Sequence, residues 1–241
     1  MAEITCVMPV YNCAKIVEIG IRSVLSQDYP DWELIVIDDS TDETPDVVER
    51  LCGDDERVRH IRFKRWMSLM RKRDIGVAAG SGRWIAQFDA DDYQPPCRLT
   101  VQSAAVDDDE TMAVCHIPFV HFAAPFSSDE YVWQLVKNKH PLQLACGSTF
   151  FFSRELWHRI GGHDIDRKRG GDLRFAHKVA AAGGVSVPAP SDYSESFLGL
   201  EHDANNWGPR LKPPAFAPTD RLWSTSLPEW ALEILEKDDA R

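Results

Sequence analysis

The chain has 241 residues, 44% hydrophobic and 27% charged, which excludes a disordered or collagen-like protein and leaves room for one large α/β domain or two small ones. Its 27 Lys and Arg face 38 Asp and Glu, and the net charge of −11 argues against general nucleic-acid binding, though a local basic patch could still hold phosphates. No apolar run approaches the roughly 18–20 residues that span a bilayer. The six cysteines form no C-x-x-C pair, so reduced thiols in a cytoplasmic protein are expected rather than disulfides or zinc.

The N-terminal MAEITCVMPVYN carries neither a basic leader nor a long apolar stretch, and no cleaved signal peptide is expected. Residues 4–10 (ITCVMPV) predict a strand that Pro9 helps to end, and 15–27 predict a helix with Ile16, Ile19, Val24 and Leu25 at helical spacing. WELIVID (32–38) predicts a buried strand running into acids, and 44–51 a helix that Asp42 or Thr44 can cap. A strand at 58–63, an amphipathic helix at 67–80 and a strand at 83–88 follow. Short apolar strands alternating with helices indicate a mostly parallel open sheet covered on both faces, an α/β architecture. The second half is less regular. Helices are expected at 98–106, 154–162, 172–184 and 230–237, and strands at 112–117, 147–153 and 185–190.

In such a sheet, ligands bind beyond the carboxyl ends of the strands. Pro9-Val10-Tyr11-Asn12 ends the first strand, Asp38-Asp39-Ser40-Thr41-Asp42 the second and Asp89-Ala90-Asp91-Asp92 the fourth. The third leads to Lys64-Arg65, with Arg71-Lys72-Arg73 on the next helix. Carboxylates converging on one rim repel, so they point to a shared divalent cation, and hard oxygen donors select Mg²⁺ or Mn²⁺. There is no G-x-G-x-x-G after the first strand and no G-x-x-x-x-G-K-[ST], which removes support from a dinucleotide dehydrogenase and a P-loop enzyme.

VMPVYN, ELIVIDDSTDET, MRKRDIGVAAGSGRWIAQFDADD, PPCRL and FFFSRELWHRIGGHD with GGDLRF resemble, in order and over roughly residues 4–205, the family 2 glycosyltransferases of the GT-A fold. The resemblance implies an inverting transferase that moves a sugar from a nucleoside-diphosphate sugar, UDP being the most frequent nucleotide, to a hydroxyl acceptor with Mn²⁺ or Mg²⁺. It places Pro9, Tyr11, Asp38 and Asp39 in the nucleoside pocket, and Lys72 and Arg73 beside the nucleotide. Asp74 stands where relatives carry Asn. Asp91 would be the direct metal ligand, Asp89 would lie nearer the ribose or share the metal, and His202 in EHDANN would approach the metal or diphosphate. Asp172 falls where the family places its catalytic base, preceded by Gly171 where Glu is common. A single GT-A domain over 1–241 is expected, with a nucleotide-sugar half at roughly 1–95 and an acceptor-binding, catalytic half at roughly 96–241 ending in a C-terminal extension.

Structural readings compete at each position. Asp38, Asp39, Asp42 and Asp172 are also suitable helix caps, 89–92 suits a solvated loop, and Asp107-Asp108-Asp109-Glu110 reads as a solvated turn. Most of the basic cluster from Arg57 to Arg73 reads as a solvated face, with Lys72 or Arg73 the exceptions. A lone His202 is as readily a surface histidine as a ligand. Trp133, Trp157 and Trp207 suit stacking on sugars, with packing the default. Asp164 and Asp166 are the alternative bases. A metal-dependent nucleotidyltransferase and a non-catalytic nucleotide-sugar-binding protein of the same fold are the competing functions. Glycan, lipid-linked sugar, protein and modified nucleobase all stay open as acceptors.

Overall fold

The computed structural model describes residues 2–106, 112–117, 121–123, 132–135, 147–166, 170–189, 198–200, 216–219 and 230–231. In chain order these form β1 (Ile4–Val10), α1 (Val17–Leu25), β2 (Trp32–Asp38), α2 (Thr44–Cys52), β3 (Val58–Arg62), α3 (Leu69–Ala79), β4 (Trp84–Gln87) and β5 (Asp92–Tyr93). Then come α4 (Arg98–Ala105), β6 (Ala113–His116), β7 (His121–Ala123), β8 (Val132–Leu135), a 3-10 turn (Gly147–Thr149), β9 (Phe151–Ser153) and α5 (Arg154–Ile160). The last elements are α6 (Gly171–Ala181), β10 (Val185–Pro188), β11 (Leu198–Leu200) and β12 (Phe216–Thr219). No helix among the described residues is long and apolar enough to cross a membrane.

The main sheet has seven strands in the order β10-β6-β9-β4-β1-β2-β3. All neighbours pair parallel except β9, which runs antiparallel to both β4 and β6. β2 and β3 lie on one side of β1 and β4 on the other, so the winding reverses between β1 and β4. A crevice beyond the strand ends at such a reversal is the usual ligand position in open α/β sheets.

The period of two along the strands sorts the core into two layers. Ile4, Cys6, Met8 and Val10 of β1 pack with Val17, Ile21 and Val24 of α1, Val48 of α2 and Leu99 of α4. Val7 faces the other way, toward Val77 of α3, Leu156 of α5, and Phe175 and Val179 of α6. All seven residues of β1 are buried, as expected of a strand covered on both faces. Each fully buried Val, Leu, Ile or Phe contributes about 1.5–3 kcal/mol.

β1 also decides where the acid loop begins. Phe88 N donates to Val7 O at 3.0 Å, and the β1–β4 register ends at Val7 opposite Gln87. Two residues on stands Pro9, which has no N–H to continue the ladder. β4 leaves the sheet there and runs into Asp89-Ala90-Asp91 before re-pairing as β5. The loop is further held by α1, because a Cβ on Gly20 would lie 2.5 Å from Ala90 O. That contact is with backbone, which cannot yield as a side chain can. Gly20→Val is therefore expected to lose about 1–3 kcal/mol of stability in urea unfolding; an unchanged midpoint would refute this packing.

The sequence reading missed a second sheet, in the order β12-β8-β7-β11-β5. Its strands are two to four residues long, LGL and FAPT carry Gly and Pro, and β12 lies on an edge where Pro218 is tolerated. The strand expected at 147–153 is shorter, since Gly147–Thr149 form a 3-10 turn before β9. Only residues 230–231 of the expected terminal helix fall within the described residues. Among the described residues Cys6, Cys13, Cys52, Cys97 and Cys115 are free thiols, and Cys146 lies outside them.

His116, ending β6, is buried with Ser186 Oγ 3.1 Å from its Nδ1, and burial pushes its imidazole down to about 4. The folded value lies below the ordinary one, so the unfolded chain takes up the proton first as pH falls. The group's contribution is complete above about pH 6.5 and lost on the way to about pH 4, amounting to at most about 3 kcal/mol. Urea unfolding compared at about pH 7.5 and about pH 4.5 should show this decline, and His116→Gln should flatten it. Equal slopes in both proteins would contradict a neutral buried His116.

Candidate active site

The crevice at the winding reversal begins with Tyr11 and Asn12. Tyr11 is an exposed aromatic, and Asn12 has φ 46°, a left-handed conformation that Asn tolerates better than most residues. Asn12 N donates to Ser40 Oγ at 2.9 Å, and Asn12 Oδ1 accepts from Thr41 N at 2.8 Å. These bonds tie the end of β1 to the segment after β2. Thr44 Oγ1 accepts from Cys13 N, and Asp42 Oδ1 accepts from Thr44 N at 3.0 Å, but the cap of α2 is Glu43, without a side-chain capping bond, rather than the expected Asp42 or Thr44.

Asp38 and Asp39 differ in what they serve. Asp38 is buried; Oδ2 lies 2.9 Å from His60 Nε2, and Oδ1 accepts from Ser40 N at 2.7 Å. Burial works to raise its carboxyl, but the bonds from His60 and Ser40 prevail and hold it below the usual carboxylate range. Asp39 is also buried, with Oδ1 2.6 Å from Lys72 Nζ and Oδ2 accepting from Met67 N. Lys72 Nζ donates to Val10 O at 2.8 Å and lies 5.3 Å from the centre of the Tyr11 ring. Neither acid caps a helix through its side chain, contrary to that structural reading. Pro9 sits in β1 itself, opposite Ile37.

Arg73 is the junction of the site. It is 1% exposed, and its guanidinium reaches Asp89 Oδ1 through Nη2 at 3.0 Å and Asp172 Oδ1 through Nη1. Burial alone would lower its proton affinity, but the two carboxylates more than reverse that. One cation thus links the acid loop after β4 to the first turn of α6. The sequence predicts an amphipathic helix over 67–80 with Lys72 or Arg73 set apart from the solvated basic face, and both side chains belong to the buried face of α3.

Asp172 is not the cap of α6. That position is Gly170, left-handed at φ 69°, and the carboxylate turns instead to Arg73. Space for the pair depends on Gly147, where a Cβ would lie 2.1 Å from Asp172 Oδ1. Oδ2 of Asp172 makes no hydrogen bond among the described residues, and the side chain is 28% exposed. Of the alternative bases, Asp164 lies 3.6 Å from Arg174, and Asp166 lines a separate cavity.

Asp89, Asp91 and Asp92 bring one carboxylate oxygen each to within 4.8 Å of one another. Burial first, then Asp91 and Asp172, push the Asp89 carboxyl up to about 6, with Arg73 opposing. A divalent ion would relieve that repulsion, and an all-oxygen donor set fits Mg²⁺ or Mn²⁺. Arg98, buried behind the loop, stacks 4.1 Å from the centre of the Phe88 ring, and neither Nη has a hydrogen-bond partner among the described residues. His202 and Trp207 lie outside the described residues, as does the side chain of Trp133.

A network around Asp74 escaped the sequence reading. Its carboxylate accepts from Trp157 Nε1 at 2.7 Å and from the backbone N of His163 at 3.0 Å, and lies 2.7 Å from His163 Nδ1. His163 Nε2 lies 2.8 Å from Gln87 Nε2, and its ring stacks on Phe175 of α6 with centroids 4.5 Å apart. Burial pushes the imidazole below its ordinary value despite Asp74, which fits a neutral ring donating through Nδ1. Through His163, Asp74, Gln87 and Phe175 thus join α3 and α6, which carry Arg73 and Asp172, to β4, which leads into the loop of Asp89. Trp157 serves this network and the core rather than an open sugar-stacking face. The departure from Asn at position 74 was the available signal, and G-G-H at 161–163 its partner.

The chain shares this architecture with solved structures. It superposes on a mannosyltransferase from Pyrobaculum calidifontis, solved in complex with GDP-Man and Mn²⁺, with TM-score 0.63 and 21% identity over 85% of this chain and 58% of that one. S. aureus TarS 1-349 in complex with UDP-GlcNAc gives TM-score 0.63 and 19% identity over 84% of this chain and 60% of that one. Both likenesses are of fold, and they place the chain in the GT-A architecture. In sequence, chondroitin synthase of Pasteurella multocida is 32% identical over 180 residues, 73% of this chain and 18% of that protein. The putative teichuronic acid biosynthesis glycosyltransferase TuaG of Bacillus subtilis is 32% identical over 100 residues, 41% of this chain and 40% of that protein. The matched stretches thus cover well under half the length of these relatives. The family model described as glycosyl transferase family 2 matches residues 5–181, from β1 through α6, and the chain belongs to that family.

Proposed function

We propose that the chain transfers a sugar from a nucleoside-diphosphate sugar to a hydroxyl acceptor, with inversion and with a divalent ion. The observation that carries the reading is Arg73, which holds the candidate metal loop and the candidate base on one guanidinium. Donor residues then fall in the first half of the chain and the base in the second, the division expected at about residue 95. Membership in the family and relatives named as glycosyltransferases support transfer chemistry; neighbours bound to GDP-Man with Mn²⁺ and to UDP-GlcNAc support a nucleotide-sugar donor.

In this reading Tyr11 covers the base, and Asp39, held by Lys72 and Met67 N, offers its remaining lone pairs to base or ribose. Asp38 keeps the turn after β2 in place. Asp91 and Asp89 would hold the metal, which would supply positive charge to the diphosphate leaving group. Asp172 Oδ2 takes the acceptor's proton as the hydroxyl attacks the anomeric carbon from the face opposite the leaving group. A single displacement inverts that carbon and needs no covalent enzyme intermediate.

Asp39→Ala is expected to weaken UDP binding roughly ten- to a hundred-fold, the usual effect of losing a charged hydrogen bond of about 1.5–3 kcal/mol. Calorimetry on a folded variant checks this; unchanged affinity would remove Asp39 from the pocket. The function itself is tested by a hydrolysis screen of UDP- and GDP-sugars with Mn²⁺ and with EDTA, which needs no acceptor. Metal-dependent release of a nucleoside diphosphate from at least one donor is expected. Release of pyrophosphate from a nucleoside triphosphate instead would favour a nucleotidyltransferase.

A further inference from the structure

Beside the carboxylate rim lies a cavity of about 460 Å³ that the proposed mechanism does not use. Its walls are the segment joining β3 to α3, the first turn of α3, and residues 165–166 between α5 and α6. Ser68 Oγ ties two of these walls together by donating to Ile165 O at 2.8 Å. Met67 N, by donating to Asp39, joins the cavity's near wall to the proposed donor pocket. None of Tyr11, Asp39, Asp89, Asp91 or Asp172 lines it.

Three observations indicate a ligand there. Trp66, in the cavity wall, is 63% exposed, the most open of the large hydrophobic side chains among the described residues. An indole left in water at a concave surface is the side chain that stacks on the C–H face of a sugar ring. Arg65 and Arg71 line the same space, and among the described residues neither guanidinium has a hydrogen-bond or ion-pair partner, in a chain whose net charge is −11. Guanidinium groups bind carboxylate and phosphate oxygens in a fixed fork geometry. The volume falls in the roughly 300–1,000 Å³ range of small-ligand sites. Asp166 supplies an acceptor for hydroxyl groups from the wall that leads, six residues on, to Asp172.

We propose that this cavity binds an anionic sugar unit of the acceptor, a uronate or a sugar phosphate, with Trp66 against the ring and Arg65 and Arg71 on the charge. The proposal rests on the transferase reading above, since the segment shared with Asp172 would deliver a hydroxyl of the bound acceptor to the base.

The test is saturation-transfer NMR on the full chain with three probes, glucuronate, glucose 1-phosphate and glucose, before and after saturating UDP with Mg²⁺. Transfer to the two anionic probes is expected, with little to glucose and no displacement by UDP; the stronger anion identifies the charged group. Trp66→Ala should abolish the signal, and Arg65→Ala with Arg71→Ala should reduce apparent affinity at least about tenfold, both variants keeping wild-type UDP affinity by calorimetry. Displacement of the anions by UDP would assign the cavity to the nucleotide and overturn the proposal. So would equal binding of glucose, absence of any transfer, or variants that bind like wild type. Failure of UDP to bind the wild-type chain would instead count against the transferase reading itself.

Discussion

Asp172→Asn is expected to lower transfer to the acceptor by about 10²- to 10⁴-fold while leaving donor affinity near wild type. The amide keeps the shape of the carboxylate but cannot accept the proton at Oδ2, and general-base catalysis is worth about that factor. The fold should survive, because α6 is entered through Gly170 and not through a cap at Asp172. An amide oxygen can still receive a hydrogen bond from Arg73, so the guanidinium is not orphaned. Measured by single-turnover transfer alongside donor calorimetry, a loss in both binding and rate would indicate a structural role. A rate within a few-fold of wild type would move the base elsewhere, with Asp164 the next candidate.

Asp91→Asn is expected to weaken Mn²⁺-dependent binding of UDP by at least about 100-fold. Outer-sphere partners alone typically change metal affinity 10- to 100-fold, and a direct ligand should exceed that. The substitution removes one of three carboxylates whose oxygens lie within 4.8 Å. It therefore lowers repulsion among the three acids in the metal-free chain, an effect that opposes the loss of any bond Asp91 makes. Urea unfolding in EDTA reads the balance. A variant that loses both stability and metal-dependent binding would mean that Asp91 is a structural residue of the loop.

Much of the site is legible in the residues because the strand ends carry it. The continuous apolar runs of β1 and β2 and the acids immediately after β2 and β4 required only the rule that ligands sit beyond parallel strand ends. Arg73 and Lys72 were legible as candidates but not as buried ones, since the spacing of a helix does not say which cation finds carboxylates on both sides. The link from Arg73 to Asp172 spans 99 residues, and the one from Asp74 to His163 spans 89, distances over which local patterns carry no information. His60 beside Asp38 was hidden for the same reason, being fixed by the β2–β3 register rather than by any motif. The second sheet stayed unread because its strands are too short to show a period.

The rim between β1 and β4 is expected to bind a nucleoside diphosphate through a divalent ion. Titration calorimetry of UDP and GDP into the wild-type chain, with Mn²⁺ and with EDTA, measures that binding without knowledge of the sugar or the acceptor. Saturable binding of at least one nucleotide in Mn²⁺, lost or weakened at least about 100-fold in EDTA and in Asp91→Asn, is the predicted result. Equal affinity with and without metal, or no binding of either nucleotide, would contradict it.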